Sequence, residues 1–266
     1  MKHIRSASNS RLKSLRKLVH SSQERRRAGL SVLDGPHLVA AYRDNVGIPQ
    51  ELVVSDAGLA DAEIRVLLSR MVAVSPLVLP DKLFQALSSV VAPQGIIAVI
   101  RTPRPQPAPR LREACVMVEA LQDPGNLGSI LRSAAAAGVT RVLLSKATVQ
   151  AWSPRVLRAG MGAHFMLHIH ENVDLPAAVG AYAGRVIATS GRSRRSLYEA
   201  DLTGAVAFVF GSEGGGVSPG LAAAAHEVVA IPMPGKAESL NVAAAAAICL
   251  FERVRQLRVE GATRSS

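Results

Sequence analysis

Residues 205–218 read Ala205-Val-Ala-Phe-Val-Phe-Gly-Ser-Glu-Gly-Gly-Gly-Val-Ser218, an apolar run followed by a glycine-rich turn. The apolar run predicts a buried strand, and the glycines predict a backbone turn at its carboxyl end. The pattern is similar to the phosphate-binding loop G-x-x-x-x-G-K-[ST], but Val217 stands where that loop needs its lysine. The sequence therefore argues against a nucleotide-hydrolysing enzyme and raises the question of what else the turn binds.

Strand and helix patterns alternate on both sides of this turn. Downstream of residue 112, strands are predicted at 113–121, 141–145, 165–169, 185–190, 205–210 and 227–233. Helices are predicted between them, and a last helix is predicted from about Ser239 to Leu257. This alternation is typical of a parallel sheet with helices on both faces. Ligands of such sheets bind at the carboxyl ends of the strands, where the glycine-rich turn lies.

The first hundred residues carry the same alternation in shorter form. One basic helix is predicted from Asn9 to Arg27, and strands are predicted at 30–34, 51–55, 71–75 and 95–101. Thr102-Pro-Arg-Pro-Gln-Pro-Ala-Pro109 has proline at alternate positions, which prevents helix formation and strand pairing. We therefore predict an α/β protein with a small α/β domain at 1–101, a proline-rich linker at 102–111 and a parallel-sheet domain at 112–266.

Positive charge is concentrated at the start of the chain. Of a net charge of +11, residues 1–30 contribute +8, because they hold nine Lys and Arg residues against Glu24 alone. A solvated helix face is the common explanation of such a run, but this local imbalance favours a nucleic acid through counterion release. A membrane surface fits less well because the segment lacks the Trp, Phe and Leu face of an interfacial helix. The candidate RNA contacts here are Arg11, Lys13, Arg25, Arg26 and Arg27.

The two cysteines and the start of the chain bear on location. Cys115 and Cys249 lie inside apolar segments, so we expect buried free thiols in a reducing cytosol. Their spacing does not match a zinc site, and no metal is expected. The basic start is not followed by an apolar signal-peptide core, and no apolar run is long enough to span a membrane. We therefore expect a cytoplasmic protein without a membrane partner.

Three polar or glycine-rich motifs follow predicted strands. They are Asn126-Leu-Gly-Ser-Ile-Leu-Arg132, Gly211-Ser-Glu-Gly-Gly-Gly-Val217 and Ile231-Pro-Met-Pro-Gly-Lys-Ala-Glu-Ser-Leu-Asn-Val242. From the residues alone, Asn126 and Ser239 fit helix N-caps, whereas Asn241 is a poor helix former in a first turn. Arg132 lies on a predicted helix of small and apolar residues, where a guanidinium needs an anionic partner.

In this order the three motifs resemble those of the SpoU/TrmH class of RNA ribose 2′-O-methyltransferases, in the SPOUT superfamily. The resemblance covers roughly residues 112–258. Residues 11–39 are similar to the ribosomal-protein-like RNA-binding domain that precedes it in bacterial 23S rRNA enzymes. The resemblance implies a trefoil knot, S-adenosylmethionine as cofactor, a homodimer and methylation of RNA, with 23S rRNA the favoured substrate. A tRNA substrate, or an RNA-binding module without catalysis, stays open.

The resemblance also implies roles for single residues. The glycine-rich turn would hold a cofactor with a positive sulfonium and no phosphate, for which a lysine has the wrong charge. Arg132 would bind a phosphate and stabilise the developing alkoxide, because a guanidinium is effectively always charged and is a poor base. Arg158 would contact RNA. The positions implied for catalysis are Asn126, Arg132, Glu213, Ser239 and Asn241. The positions implied for the cofactor are Thr189, Ser190, Gly211, Gly216, Ile231, Met233, Ser239 and Leu240.

Overall fold

The computed structural model describes residues 1–105 and 112–264, with side chains through Val259. Contacts divide the chain into two compact units. Unit 1 consists of Met1–Pro103 and Trp152–Phe165, and unit 2 consists of Arg104–Ala151 and Met166–Ser266. Most of the predicted linker, residues 106–111, lies outside the described residues.

Unit 1 is built on a five-stranded mixed sheet. Its strands are β1 (Lys2–His3), β2 (Leu30–Asp34), β3 (Glu51–Ser55), β4 (Leu77–Leu79) and β5 (Ile96–Arg101). Their order is β1-β4-β3-β5-β2, and β5 is antiparallel to both of its neighbours. The strands predicted at 30–34, 51–55 and 95–101 are confirmed. The strand predicted at 71–75 is wrong, because the N–H of Val74 bonds to the carbonyl of Met71 in a turn before β4.

Helices cover this sheet and supply much of its core. The helices of unit 1 are α1 (Ser10–His20), α2 (Ser22–Ala28), α3 (Pro36–Asn45), α4 (Asp56–Ala60), α5 (Ala62–Ser69), α6 (Asp81–Leu87) and α8 (Pro154–Gly160). The apolar face of α1 joins the sheet and α6 in one buried cluster. Members of this cluster include Leu12, Leu15, Leu18, Val19, Val32, Val53 and Phe84.

The predicted basic helix at the start of the chain is two helices. Ser21 has an extended backbone that ends α1, and its hydroxyl oxygen accepts a hydrogen bond from the N–H of Glu24 and so caps α2. Arg25 folds back onto α1, where its Nη1 donates to the carbonyl oxygens of Leu18 (2.8 Å) and Val19 (2.9 Å). Arg25 is only 5% exposed, and burial lowers its pKa, as does the neighbouring Arg26 to a smaller degree. The guanidinium of Arg25 therefore binds carbonyl groups that the end of α1 leaves free, which leaves less of it for the RNA contact that the sequence predicts.

We predict that Arg25→Ala lowers the free energy of unfolding by about 1–3 kcal/mol, because two buried carbonyl groups lose their donor. Arg26→Ala removes the same side chain from an exposed position one residue later and is the matched control. The control should change stability by no more than about 0.5 kcal/mol. Urea unfolding followed by circular dichroism measures both variants, and equal losses would contradict the structural role of Arg25.

Unit 2 is built on a six-stranded parallel sheet. Its strands are β6 (Cys115–Val118), β7 (Arg141–Ser145), β8 (His168–Val173), β9 (Arg185–Thr189), β10 (Val206–Phe210) and β11 (Glu227–Val229). Their order is β11-β9-β10-β6-β7-β8, and every pairing is parallel. The predicted α/β fold with a parallel sheet is confirmed. The strand predicted at 165–169 begins later, at His168, because Ala163–Met166 forms a short 3-10 helix.

The helices of unit 2 are α7 (Pro124–Ala136), α9 (Leu175–Ala181), α10 (Pro219–Ala224) and α11 (Val242–Arg264). Of these helices, α7 packs against α11. The last helix, α11, begins three residues later than predicted and continues beyond Leu257.

Both cysteines are buried free thiols, as the sequence predicts. Cys115 lies in β6 and Cys249 lies in α11, and neither residue is exposed. Burial raises the pKa of each thiol to about 12, so both stay protonated at neutral pH.

Two negative findings concern only the described residues. None of their helices combines the length and apolar character needed to cross a membrane. No group of three or more His, Cys, Asp or Glu side chains among them is arranged to hold a metal ion.

Candidate active site

The three motifs meet at one edge of the parallel sheet of unit 2. The first motif follows β6, the second follows β10 and the third follows β11, while Thr189 and Ser190 stand at the end of β9. The order β11-β9-β10-β6 makes these four strands consecutive neighbours. Because they are parallel, their carboxyl ends lie side by side, and residues distant in sequence come together where such sheets bind ligands.

The glycine-rich turn folds back on itself directly after β10. The backbones of Ser212 and Gly216 exchange two hydrogen bonds, with N···O distances of 3.1 and 2.9 Å. Gly216 has a φ of +65°, in the left-handed region that favours glycine. A Cβ atom on Gly211 would lie 1.8 Å from the carbonyl carbon of Gly216. Glycine at these two positions is therefore required by the turn itself.

We predict that Gly211→Ala disrupts the turn and costs at least about 1–3 kcal/mol of unfolding free energy, because the backbone must move to admit the methyl group. Gly214→Ala is the matched control in the same turn. Apart from its two chain neighbours, no described residue has an atom within 4 Å of a Cβ added at Gly214, and the φ of Gly214 lies outside the left-handed region. Thermal and urea unfolding compare the two variants, and equal stability would contradict the close contact between Gly211 and Gly216.

A chain of side-chain hydrogen bonds links the three motifs. Oε1 of Glu213 accepts from the N–H of Asp123 and from Nδ2 of Asn126, both at 3.1 Å. Oδ1 of Asn126 accepts from Nδ2 of Asn241 at 2.9 Å. Oδ1 of Asn241 accepts in turn from the N–H of Ala243 at 2.9 Å, in the first turn of α11. Each asparagine amide therefore donates on one side and accepts on the other, which fixes its orientation.

The two asparagines differ in role from what the sequence indicates. Asp123, and not Asn126, is the N-cap of α7, and its side chain accepts from the N–H of Asn126 at 2.7 Å. Pro124 at the first helical position sets this start. Asn241, and not Ser239, caps α11. Asn126 and Asn241 thereby join one motif to the next.

The carboxylate of Glu213 is stabilised in its ionised form. Burial alone would raise its pKa, but hydrogen bonds from its own backbone, Asn126, Asp123 and Gln122 outweigh burial and lower the pKa. The stability that Glu213 contributes is present above the unfolded-state pKa and is lost as the pH falls through the lower folded-state value. A carboxylate with a lowered pKa is a weak proton acceptor, so these contacts favour a positioning role for Glu213.

We predict that Asn126→Asp costs about 1–3 kcal/mol of stability at about pH 7, because it places a second carboxylate against Glu213 and removes a donor. Repulsion raises the carboxyl pKa in the folded state, so the deficit should shrink as the pH falls and a proton restores the donor.

Asn9→Asp is the matched control for this prediction. Asn9 caps α1 only by accepting hydrogen bonds from the N–H groups of Arg11 and Leu12, which a carboxylate also does. Urea unfolding at about pH 7 and about pH 5 tests both variants. A deficit in Asn126→Asp that does not change with pH would contradict the charge explanation.

Glu119 completes the site, and the sequence did not single it out. Its two carboxylate oxygens accept from the N–H and the hydroxyl group of Ser218, each at 2.7 Å. Ser218 is also the N-cap of α10, so Glu119 holds the far end of the glycine-rich turn to the end of β6. An acidic residue directly after a buried strand is the signal that could have identified it.

The loop from Ile231 to Leu240 leaves its polar main-chain groups free. Within the described part of the chain, its N–H and C=O groups make no hydrogen bond to another residue. Leu240 is 40% exposed, and Ile231 and Met233 are partly buried. Polar main-chain groups must find partners when they are covered, so free groups beside apolar side chains suit a heterocycle with hydrogen-bonding edges.

Arg132 lies on the exposed face of α7. Its side chain makes no hydrogen bond or ion pair with the residues that the structure describes, so the anionic partner expected from sequence is not found among them. The guanidinium is exposed to water and so does not need an anionic partner within the protein. The side chain is therefore free to bind an anion from solution. Ser239 is likewise exposed.

Ion pairs neutralise part of the basic start of the chain. Arg11 pairs with Glu51, and Arg27 pairs with Glu24 at 2.9 Å. Arg26 is exposed on α2. One exposed stripe of α1, which we call the basic face of α1, lines a shallow groove. Its residues are Lys13, Arg16, Lys17 and His20.

Arg158 is exposed on α8, within unit 1. Burial raises the pKa of Asp34, while a hydrogen bond from Ser88 and the charge of Arg158 oppose that rise. Arg158 therefore lies in the electrostatic environment of Asp34.

Known proteins are similar to this chain in sequence and in fold. The model of the SpoU rRNA Methylase family matches residues 113–251, which contain all three motifs. The 23S rRNA (guanosine(2553)-2′-O)-methyltransferase RlmP of Bacillus subtilis (strain 168) is 32% identical over 254 residues, covering 94% of this chain and 98% of the relative.

Solved structures extend this similarity to the fold. An AdoMet-bound rRNA methyltransferase from Sinorhizobium meliloti superposes with a TM-score of 0.84 at 27% identity, covering 96% of this chain and 98% of that one. The SpoU methyltransferase AviRb from Streptomyces viridochromogenes, in complex with AdoMet, superposes with a TM-score of 0.82 at 27% identity, covering 93% of this chain and 98% of that one.

Proposed function

This chain belongs to the SpoU rRNA methylase family, and we propose that it transfers a methyl group from S-adenosylmethionine to a ribose 2′-hydroxyl of 23S rRNA. The observation that carries the proposal is the meeting of the three motifs at the carboxyl ends of β6, β10 and β11. Similarity over nearly the whole chain to a relative named as a 23S rRNA enzyme favours rRNA over the alternative, tRNA. The hydrogen-bonded chain from Glu213 to Asn241 disfavours a silent RNA-binding module.

The residues at this edge of the sheet fit the cofactor. Free main-chain groups between Ile231 and Leu240 offer partners to an adenine ring, and Leu240 offers an apolar surface. When bound, the cofactor supplies a methyl group on a positively charged sulfonium. These protein groups hold it in one orientation and exclude water, which is most of what methyl transfer needs. The proposed cofactor residues are Thr189, Ser190, Gly211, Gly216, Ile231, Met233, Ser239 and Leu240.

Arg132 is the proposed catalytic residue that acts on the substrate. Its free, permanently charged guanidinium binds a phosphate beside the target ribose and stabilises negative charge on the attacking oxygen. Ser239 lies exposed in the loop 231–240 and is the second residue proposed to contact the reacting groups. Asn126, Glu213 and Asn241 act by position, because their hydrogen bonds hold the starts of α7 and α11 to the glycine-rich turn.

A trefoil knot is part of the same proposal. The connection between β9 and β10 forms hydrogen bonds with the chain on both sides of the loop 231–240. Ala230 makes two backbone hydrogen bonds to it, both of 2.8 Å. Gln256 of α11 accepts from the N–H of Leu202 at 2.8 Å and donates to the carbonyl of Ala200 at 3.1 Å. These contacts support a path in which β11 and α11 pass through that connection, an exception to the general absence of knots.

A homodimer through α11 is also proposed. Ala244, Phe251 and Val259 are exposed at heptad-like spacing, so they share one face of the helix. Phe251 is 48% and Val259 is 56% exposed. Large apolar side chains exposed along one helical face favour contact with a second surface, and the alanines between them allow close approach.

Residues 1–101 are proposed as a ribosomal-protein-like RNA-binding domain, joined by the linker 102–111 to the methyltransferase domain at 112–266. RNA affinity comes from the basic face of α1, with Arg26 and Arg158 as further phosphate contacts, since these cations are exposed. Arg11, Arg25 and Arg27 contribute less because protein groups already bind them. The proposed location is the cytoplasm, where bacterial rRNA is modified.

The test incubates the purified protein and radiolabelled S-adenosylmethionine with 23S rRNA transcribed in vitro, and then maps ribose methylation. Arg132→Ala should lower kcat/KM about 100-fold or more, because it removes stabilisation of transition-state charge. Its affinity for S-adenosylmethionine should be unchanged.

Arg65→Ala is the control and should be fully active, because it removes an exposed arginine of α5 that is not among the proposed RNA contacts. Methylation of a base, or of tRNA in place of 23S rRNA, would overturn the proposed function. Near-normal turnover by Arg132→Ala would overturn the role of Arg132.

A further inference from the structure

The segment Gly191-Arg-Ser-Arg-Arg195 begins two residues after the end of β9 and carries three arginines that none of the three motifs uses. Hydrogen bonds to β11 and the residue after it hold this segment at both ends. The N–H of Ser190 donates to the carbonyl of Val229 at 2.9 Å, and the N–H of Ala230 donates to the carbonyl of Arg195 at 2.8 Å. In the middle, the hydroxyl of Ser193 donates to the carbonyl of Val228 at 2.7 Å. The segment is therefore built on the sheet and has a defined course.

The arginines divide into one that is engaged and two that are free. Arg195 pairs with Glu227 at 3.0 Å, so it belongs to the anchoring of the segment. Arg192 and Arg194 are exposed, and their side chains make no hydrogen bond or ion pair within residues 1–105 and 112–264.

Three nearby acids bind groups other than these two arginines. Glu227 is shared between Arg195 and Arg185, and Asp201 pairs with Arg185 at 3.0 Å. Glu199 accepts the N–H of Ser196 at 3.2 Å in a capping box. No carboxylate among the described residues pairs with Arg192 or Arg194, so the segment presents two unpaired guanidinium groups to solvent.

Their position is at the rim of the proposed cofactor site. Ser190 immediately precedes the segment, and a Cβ on Gly191 would lie 3.9 Å from the carbonyl oxygen of Glu238. Glu238 belongs to the loop 231–240 whose main chain is free and which carries Ser239. The substrate ribose has to reach this rim to be methylated, and its flanking phosphates come with it.

We propose that Arg192 and Arg194 bind the phosphates of single-stranded rRNA next to the target nucleotide, an inference that rests on the proposed function. The planar guanidinium binds phosphate with two parallel hydrogen bonds, which makes arginine well suited to this contact. Tyr198, four residues after Arg194, is 54% exposed and offers a ring on which an unpaired base stacks. Cations beside exposed aromatic rings are typical of surfaces that bind single-stranded RNA.

The test is the double variant Arg192→Ala/Arg194→Ala, assayed in the full-length protein with 23S rRNA transcribed in vitro. Filter binding over a range of KCl concentrations should show the log–log salt slope flattened by about 1.4, the loss of two single-strand phosphate contacts. The KM for this RNA should rise about tenfold, as expected for lost charge-assisted hydrogen bonds. The kcat at saturating RNA and the Kd for S-adenosylmethionine should stay within about twofold, since neither guanidinium contacts the reacting atoms.

Two further variants separate specific contact from general charge. Arg65→Ala/Arg70→Ala removes the same two charges from exposed positions at α5, away from the basic face of α1, Arg26 and Arg158, and should leave the salt slope and KM unchanged. Arg192→Lys/Arg194→Lys keeps both charges but lacks the planar guanidinium. Its salt slope should therefore equal that of the wild type, and its KM should lie between the values of the wild type and the alanine variant.

An unchanged salt slope and KM in the alanine variant would overturn the proposal. A weakened Kd for S-adenosylmethionine with normal RNA binding would also overturn it, because the arginines would then bind the carboxylate of the cofactor. The binding measurement needs no catalysis, so it tests the arginines by itself. Absence of methyl transfer by the wild-type protein would refute the proposed function and leave the salt-slope result standing.

Discussion

The parallel pairing of β6 with β10 is the constraint on which the candidate site depends. Its register places Phe210 opposite Val118, and the N–H of Glu119 donates to the carbonyl of Phe210 at 2.8 Å. The glycine-rich turn and the first motif therefore leave the sheet side by side. From there Glu119 reaches Ser218 at the end of the turn, and Glu213 reaches the start of α7. A shift of register by one residue would turn these side chains to the opposite face of the sheet.

The hydrogen bonds from Glu213 through Asn126 to Asn241 connect the first two motifs to the third. The two amides are directional, so each hydrogen bond determines the orientation of the next. The starts of α7 and α11 are held together, while the loop 231–240 keeps its main-chain groups free for a ligand. The site thus combines helix starts that hydrogen bonds hold in place with a loop whose main-chain groups lack partners. A pocket of this kind binds a ligand without first reorganising.

Net charge alone is a poor guide to where this protein meets RNA. The nine cations of residues 1–30 include one that binds carbonyl groups inside the fold and two that pair with glutamates. What remains available is the face of α1 that points away from the core, together with the exposed side chains of Lys2, Arg5 and Arg26. The same division separates Arg195, paired with Glu227, from Arg192 and Arg194. Electrostatic attraction for a polyanion depends on the charges that protein groups leave free.

Sequence by itself determined the α/β class, the parallel sheet of unit 2, most of its strands and the three motifs, because hydrophobic periodicity and glycine are local signals. Local signals did not locate β4, because a turn at Met71 precedes it. They also did not separate α1 from α2, because that boundary depends on the hydroxyl of Ser21. Asp123 caps α7 through a contact that spans only three residues, so a local signal could have identified it. Only the tertiary structure revealed the roles of Glu119 and Arg25. Each of these two side chains binds groups of another element, and partners of that kind are set by strand order and helix packing, which local signals do not report.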